Sequence, residues 1–294
     1  MIPRIIHQTG PFENIDVFPN NLRNIFNSNY KINKSFRYKY YNNNECEEII
    51  RNFDNDVYTA YKSLIPEAYK ADIFRMVILY IEGGIYNDLS QKYIVPIDKV
   101  INFDRSNEIY IVENCEICFI ATFAKNKLIR KTICKQIENI KNRSYGINKL
   151  DITGPYVFRR VINRYLNFNE VNSLKKNTYY IDDINVLCKF KLFYDGNFIR
   201  KIFDSLHKKK RDNMYLMYND IKFIKMYMSN HKKIISNKNR KPNYGFLYNN
   251  NMVFIDNNKN FNYKNIIYII SIITFGFLIY VIFIQGKSRY FEVI

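Results

Sequence analysis

The stretch from Glu67 to Asp88 constrains this chain more than any other. Apolar residues recur at Ala71, Phe74, Ile78 and Ile81, the spacing of one helix face. Pro66 stands where a helix starts and Gly83 where one stops, because a left-handed closing residue costs glycine nothing. The spacing predicts a helix over Glu67 to Glu82, then a strand over Gly84 to Tyr86 that carries Asp88 out at its C-terminal end.

The segments around it follow the same alternation. Ile2 to Ile6 reads as a short buried strand, Asn21 to Asn29 as a short helix, and Phe36 to Tyr41 as a half-exposed strand. Further strands are expected near Glu108 to Val112 and Ile117 to Phe123, and a helix from about Lys127 to Lys141. Strands alternating with helices imply an α/β domain with a largely parallel sheet. With 294 residues, 47% of them hydrophobic, the chain can bury a core, and disorder of the whole chain is excluded. Five cysteines are an odd number in a chain of this length, which argues against a disulfide framework and for a reducing compartment. At the N-terminus Arg4 and His7 interrupt any apolar run of signal-peptide length.

Lys and Arg number 45 against 27 Asp and Glu, a net charge of +18. That balance attracts phosphates of some kind: nucleic acid, anionic lipid headgroups or an anionic small substrate. The excess concentrates in residues 200–241, with thirteen Lys/Arg against three Asp, including Lys208 to Arg211. There basic residues alternate with apolar ones in Ile221 to Tyr227. A solvated face, a nucleic-acid patch and a patch against anionic lipid are all compatible; the last is favoured, because an apolar run follows. No nucleic-acid motif appears. From Ile266 to Ile284 the only non-apolar positions are Ser271, Thr274 and Gly276. As a helix this run reaches ~28 Å, close to the thickness of a bilayer's hydrocarbon core. The expected organisation is an α/β domain over 1–195, a basic extension over 196–245, a linker over 246–265, a transmembrane helix over 266–284 and a short tail over 285–294. Lys259 and Lys264 before the run balance Lys287 and Arg289 after it, so charge does not set its orientation. A C-terminal tail anchor holding a cytosolic domain at a membrane is the simplest arrangement.

Chemistry concentrates where the predicted helix meets the predicted strand. Asp72 and Arg75 are three apart and share a helix face, so they can reach one ligand. Asp88 follows the strand, at the sheet end where open α/β proteins bind ligands. Two carboxylates and a guanidinium there suit a polyhydroxylated, phosphorylated ligand held with a hard divalent cation. The blander alternatives are a surface ion pair for Asp72 and Arg75 and a turn cap for Asp88. Cys115-x-x-Cys118 lacks a second ligand pair and reads as inert thiols rather than a zinc site. His207 and His231 read as surface residues.

Three stretches, in this order, carry a resemblance: Ile2 to Thr9, with its His7-Gln8-Thr9; Ala71-Asp72-x-x-Arg75 leading into Gly83-Gly84-Ile85-Tyr86-x-Asp88; and Thr153-Gly154-Pro155. Over about residues 1–160 they resemble glycosyltransferase family 32, a DxD sugar-binding group that includes fungal initiating mannosyltransferases and many capsular polysaccharide enzymes. The glucosylating toxins of clostridia look similar across the helix-to-DxD segment. The resemblance implies a GT-A fold, a Rossmann-like mixed sheet flanked by helices. It also implies a nucleotide-diphosphate sugar donor, a glycan, lipid or protein acceptor, and transfer with retention. His7, Gln8 and Thr9 would border the nucleotide pocket, and Asp72 and Arg75 would hydrogen-bond the donor sugar. Gly84, Tyr86 and Thr153-Gly154-Pro155 would line the pocket, and Asp88 would contact ribose, sugar and, through water, a Mn2+ or Mg2+ ion. The family's second DxD acid, its direct metal ligand, is Ser90 here, and a hydroxyl is a far poorer ligand for a hard cation. Gly10 replaces a common aromatic residue, and with no tryptophan in the chain the family's C-terminal Ser-Trp element is missing. Asp98 and Asp104 are acids downstream of the bend. The alternative to an active enzyme is an inactive relative that keeps the pocket as a membrane-bound binding module.

Overall fold

The architecture follows from strands whose alternate residues face two separate cores. In the computed structural model, which describes residues 1–194, 214–226 and 244–255, the strands are β1 (Ile5–Thr9), β2 (Arg37–Tyr41), β3 (Gly84–Asn87), β4 (Gln91–Tyr93), β5 (Glu108–Val112), β6 (Phe119–Thr122), β7 (Asn177–Ile181), β8 (Ile184–Tyr194), β9 (Met214–Tyr218) and β10 (Ile221–Met226). The helices are α1 (Asn20–Ile32), α2 (Asn43–Phe53), α3 (Asn55–Ser63), α4 (Glu67–Glu82), α5 (Lys127–Lys141), α6 (Pro155–Tyr165) and α7 (Tyr244–Asn249). Ile109, Ile111 and Ile120 point to a core shared with α4, α5 and α6, where Ile73, Phe74, Val77, Ile133 and Phe158 are buried. Tyr110, Val112, Phe119 and Ala121 point to the opposite core, with Ile85, Phe190 and Phe223. This is the period-two alternation of a sheet buried on both faces. Each fully buried large apolar side chain contributes about 1.5–3 kcal/mol.

One sheet runs in the order β2, β1, β3, β6, β5, β8, β9, β10, β4, with β7 also paired to β8. Only β1/β2, β1/β3 and β5/β8 are parallel; every other pairing is antiparallel. The sheet is therefore mixed, and the largely parallel sheet read from alternating elements is corrected. Short turns explain the difference: β7–β8 and β9–β10 are joined through Asp182 and Asn219, both at positive φ, and so short a link allows only antiparallel pairing.

The helix predicted over Glu67 to Glu82 is α4. It is buried on more than one face, because α2 and α5 cover the side turned away from the sheet. Met76, Val77 and Leu79 are therefore buried along with Phe74 and Ile78, while Ile81 is 40% exposed. Gly83 and Gly84 then turn the chain at positive φ, +67° and +92°. A Cβ at Gly84 would lie 2.7 Å from the Ile5 carbonyl oxygen, so only glycine lets β3 start beside β1.

The compact unit extends over Met1–Phe254, and Ile255–Ile294 forms a second unit. The boundary expected at 195/196 falls within the first, because β9 and β10 continue the sheet from β8 to β4. The expected linker from 246 likewise begins in α7 and in a bridge between Leu64 and Phe254, with Val253 and Phe254 buried. Phe223, Ile224 and Met226 are buried core residues of β10, so the apolar members of the alternation face the core, and Tyr227 lies outside the described residues. His207, His231, Lys208 to Arg211 and the apolar run 266–284 lie outside the described residues. Among the described residues, no helix is long and apolar enough to cross a membrane.

Candidate functional site

The site forms where β1 and β3 end side by side, paired in parallel at Ile6–Ile85 and His7–Tyr86. Helical phase places Asp72 and Arg75 on one side of α4, and the glycine turn brings β3 back beneath them, so that Asp88 arrives one residue past the strand. Arg75 Nη2 lies 3.2 Å from Asp88 Oδ1 and 3.7 Å from Asp72 Oδ1. Arg75 Nη1 donates to the Ile117 carbonyl, and its guanidinium lies over the Tyr86 ring, 4.3 Å from the centroid. One guanidinium thus fixes both acids, and the aromatic ring stabilises its charge. Side-chain exposure falls from 36% at Asp88 through 16% at Asp72 to 8% at Arg75, so Asp88 is at the rim and Arg75 at the floor.

The Thr153-Gly154-Pro155 turn closes over Asp72. Thr153 Oγ1 donates to Asp72 Oδ2 at 3.0 Å, and a Cβ on Gly154 would come within 3.5 Å of the same oxygen. Pro155 is the first residue of α6, where its missing N–H leaves no partner unsatisfied. Burial raises the Asp72 pKa to about 6, against the lowering effect of Arg75 and Thr153 and with a further raise from Asp88. Tyr86 is pushed up, first by burial and partly offset by Arg75, and stays a neutral phenol.

Other expected site residues have structural duties. His7 is fully buried; its Nε2 donates to the Gly83 carbonyl at 2.9 Å and its Nδ1 accepts from the Tyr41 hydroxyl at 3.0 Å. Burial lowers its pKa to about 4, so it is a neutral brace of the glycine turn rather than a pocket wall. Gly84 is likewise buried in β3. Gln8 is buried with an unpartnered Nε2, and Thr9 donates to the Tyr41 carbonyl at 2.9 Å. Leu89 packs with Phe12, Phe18 and Leu22, which anchors the bend between Asp88 and Ser90. Asp98 is drawn away to Arg4 at 2.6 Å, and Asp104 is exposed in the following loop. Burial raises the thiol pKa of Cys115 and Cys118, in keeping with inert cysteines.

The protein alone offers a hard cation few ligands at this bend. Ser90 is buried and neutral, Asp88 has one oxygen on Arg75, and Asp72 is held by Thr153 and Arg75. Among the described residues, no three His, Cys, Asp or Glu side chains gather as a metal site. With one free Asp88 oxygen and a hydroxyl at Ser90, a hard cation here would take its remaining ligands from the donor's phosphates and water.

Three residues that the sequence did not single out also face this region. Glu116, in the loop before β6, has its pKa raised by burial and by Asp88, with Arg159 and Arg75 pulling it down. Tyr244 of α7 packs edge-on to Tyr69 of α4, ring centroids 5.8 Å apart, and its phenol is raised by burial, by Asp72 and by Glu116. Gln136 of α5 donates to the Thr153 carbonyl at 2.6 Å and so holds the turn over Asp72. Gln136 had a readable signal, a polar residue on the apolar face of a helix. Glu116 and Tyr244 had none, since only the tertiary path brings them in.

Residues 19–107, which contain Asp72, Arg75 and Asp88, match the family profile of the glycosyltransferase sugar-binding region containing a DXD motif. The match places the Asp72–Arg75–Asp88 cluster inside a segment similar to glycosyltransferase sugar-binding regions. Among curated proteins, the chain is 34% identical over 90 residues to the uncharacterized glycosyltransferase L373 of Acanthamoeba polyphaga mimivirus, covering 30% of this chain and 36% of that protein. It is 29% identical over 229 residues to a protein named as the chaperone PpiD of Buchnera aphidicola, covering 76% of this chain and 38% of that one. The chain thus spans little more than a third of the curated relatives it matches. Among solved structures, the PaToxG glycosyltransferase is similar at 18% identity and a TM-score of 0.44, over 56% of this chain and 70% of that one; a likeness at that level does not by itself establish a common fold.

Proposed function

We propose that this chain is a GT-A-type glycosyltransferase of the family 32 kind, moving a hexose from a nucleotide-diphosphate sugar to a glycan, lipid or protein acceptor with retention. The observation that carries the reading is the Asp72–Arg75–Asp88 cluster at the ends of β1 and β3, inside the region that matches the glycosyltransferase profile. In transfer, the bond from the anomeric carbon to the diphosphate oxygen breaks and a bond to the acceptor hydroxyl oxygen forms; the hydroxyl proton leaves with the diphosphate. Asp88 at the rim keeps one oxygen for a ribose or sugar hydroxyl. Asp72 below it, when ionised, accepts from a second hydroxyl, and Arg75 keeps both acids in place. This is positioning and electrostatic stabilisation rather than covalent chemistry.

A membrane-tethered arrangement, with 266–284 as the anchor and the folded unit on the cytosolic side, completes the proposal; its support is the uncharged apolar run in the sequence. Ser90 favours a second reading, an inactive relative that binds a nucleotide sugar without turning it over. One screen separates the two: hydrolysis of a panel of UDP- and GDP-sugars by the full chain and by Asp88→Ala. The expected result is release of free sugar from at least one donor by the wild type and loss of most of it in the variant. Tight donor binding with no release would favour the inactive reading.

A further inference from the structure

Arg159 lies on the second turn of α6, five residues past the glycine that approaches Asp72, and is only 7% exposed. Its Nε is buried without a partner, and among the described residues its guanidinium makes no ion pair or hydrogen bond; its contact is the Tyr156 ring, 4.1 Å from the centroid. The neighbouring arginines also leave Nε unpaired but bond through their other nitrogens. Arg160 is bonded to Asp151, and Arg75 has two acids and a carbonyl. A charge that cannot be removed by deprotonation is seldom buried without an anion. The segment from Glu113 to Ile117 links the two places: α6 packs on its start, and Arg75 donates to the Ile117 carbonyl at its end, so Arg159 approaches the donor site from the α6 side. α6 packs on the turn at Glu113–Cys115, which holds Arg159 and Glu116 in one neighbourhood.

The bend at Asp88 to Ser90 offers one acid where the DxD motif has two, while Arg159, without an anion of its own, lies in the helix packed on the segment that bonds Arg75. We propose that Arg159 is an anion-binding residue of this site: its guanidinium holds the diphosphate of the nucleotide sugar and contributes positive charge that a metal supplies where both DxD positions are acids. A planar guanidinium fits phosphate oxygens in pairs, and in a half-buried site such bonds are little weakened by water. The Tyr156 ring beneath it keeps the plane oriented. The proposal rests on the nucleotide-sugar reading for its ligand but not for its test.

The test is calorimetric titration of inorganic pyrophosphate, with EDTA present, into the full chain and its Arg159→Met and Arg159→Lys variants, each checked by thermal melting. Methionine keeps most of the buried volume without charge; lysine keeps the charge and loses the fork. The wild type is expected to bind pyrophosphate without metal. Arg159→Met should bind about tenfold more weakly or worse, with Arg159→Lys in between. Equal affinity in a folded Arg159→Met overturns the proposal, as does a wild type that binds pyrophosphate only with metal or not at all. Should Arg159→Met fail to fold, wild-type affinity in Arg159→Lys is the overturning result. Sugar release assayed in parallel separates the two readings: a wild type that binds pyrophosphate but releases no sugar loses the enzyme reading and keeps Arg159. Release unchanged in KM in the methionine variant, with equal pyrophosphate affinity, does the reverse.

Discussion

Arg75 gathers the site, and its neighbours have opposite sensitivities to acid. Asp72 has its pKa raised to about 6, so the folded state holds its proton more tightly than an unfolded chain, where the value is near 3.8. Its contribution to stability is therefore greatest below about pH 4 and declines as pH rises through 6. His7, lowered from 6.5 to about 4, acts the other way: the folded state resists protonation, and stability is lost as pH falls from 6.5 towards 4. Asp72→Asn should gain stability relative to wild type between pH 4 and 6, read as urea midpoints across that range; a constant difference would contradict the burial of this carboxyl. Donor binding should weaken as pH falls below 6, when the neutral acid no longer accepts two hydrogen bonds. At this scale Asp72, Arg75 and Asp88 were legible because helical phase and one glycine turn fix their relation. His7, Gly84 and Thr9 were legible as a group, but their internal bonds were not, since a motif says where residues lie along the chain and not which way they face.

Elements place the site through a few buried polar clamps. Asn29 of α1 donates to the Gln91 carbonyl at 2.8 Å and accepts from the Tyr93 amide at 2.9 Å, fixing β4 and with it the bend from Asp88 to Ser90. Asn29→Ala leaves two buried backbone groups unpaired and should cost about 2–4 kcal/mol, measurable by denaturant unfolding; a loss under about 1 kcal/mol would show that the clamp is dispensable. Gly84→Ala is the harsher change, because it meets both the Ile5 carbonyl and an unfavourable φ of +92°. It should lower stability by more than about 2 kcal/mol and reduce donor binding with it; wild-type melting would contradict the close approach of β1 and β3. The helices α4 and α5 could be read from apolar periodicity alone. β8 to β10 could not: their lysines and tyrosines look like a basic surface until the partner strand shows that Phe190, Leu216 and Phe223 face inward.

The unit Met1–Phe254 is built on one sheet that chain from beyond residue 195 completes. β9 and β10 carry the sheet to β4, and Ile65 donates its amide to the Val253 carbonyl at 2.8 Å, so the segment around 253 is pinned beside the start of α4. A chain ending at 195 should therefore fail to fold, while one ending at 255 should melt within a few degrees of the full chain; a cooperative transition in the shorter product would return the domain boundary to 195. The same fold brings Tyr244 against Tyr69 of α4, a proximity that no spacing in the sequence encodes. The most direct measurement is calorimetry of the full chain with UDP- and GDP-linked hexoses, alongside Asp88→Ala. Micromolar-range binding of at least one donor by the wild type, weakened about tenfold or more in the variant, is the expected outcome. No heat with any donor, or equal heat in both proteins, would show that the Asp72–Arg75–Asp88 cluster is an ion-pair network and not a sugar-nucleotide site.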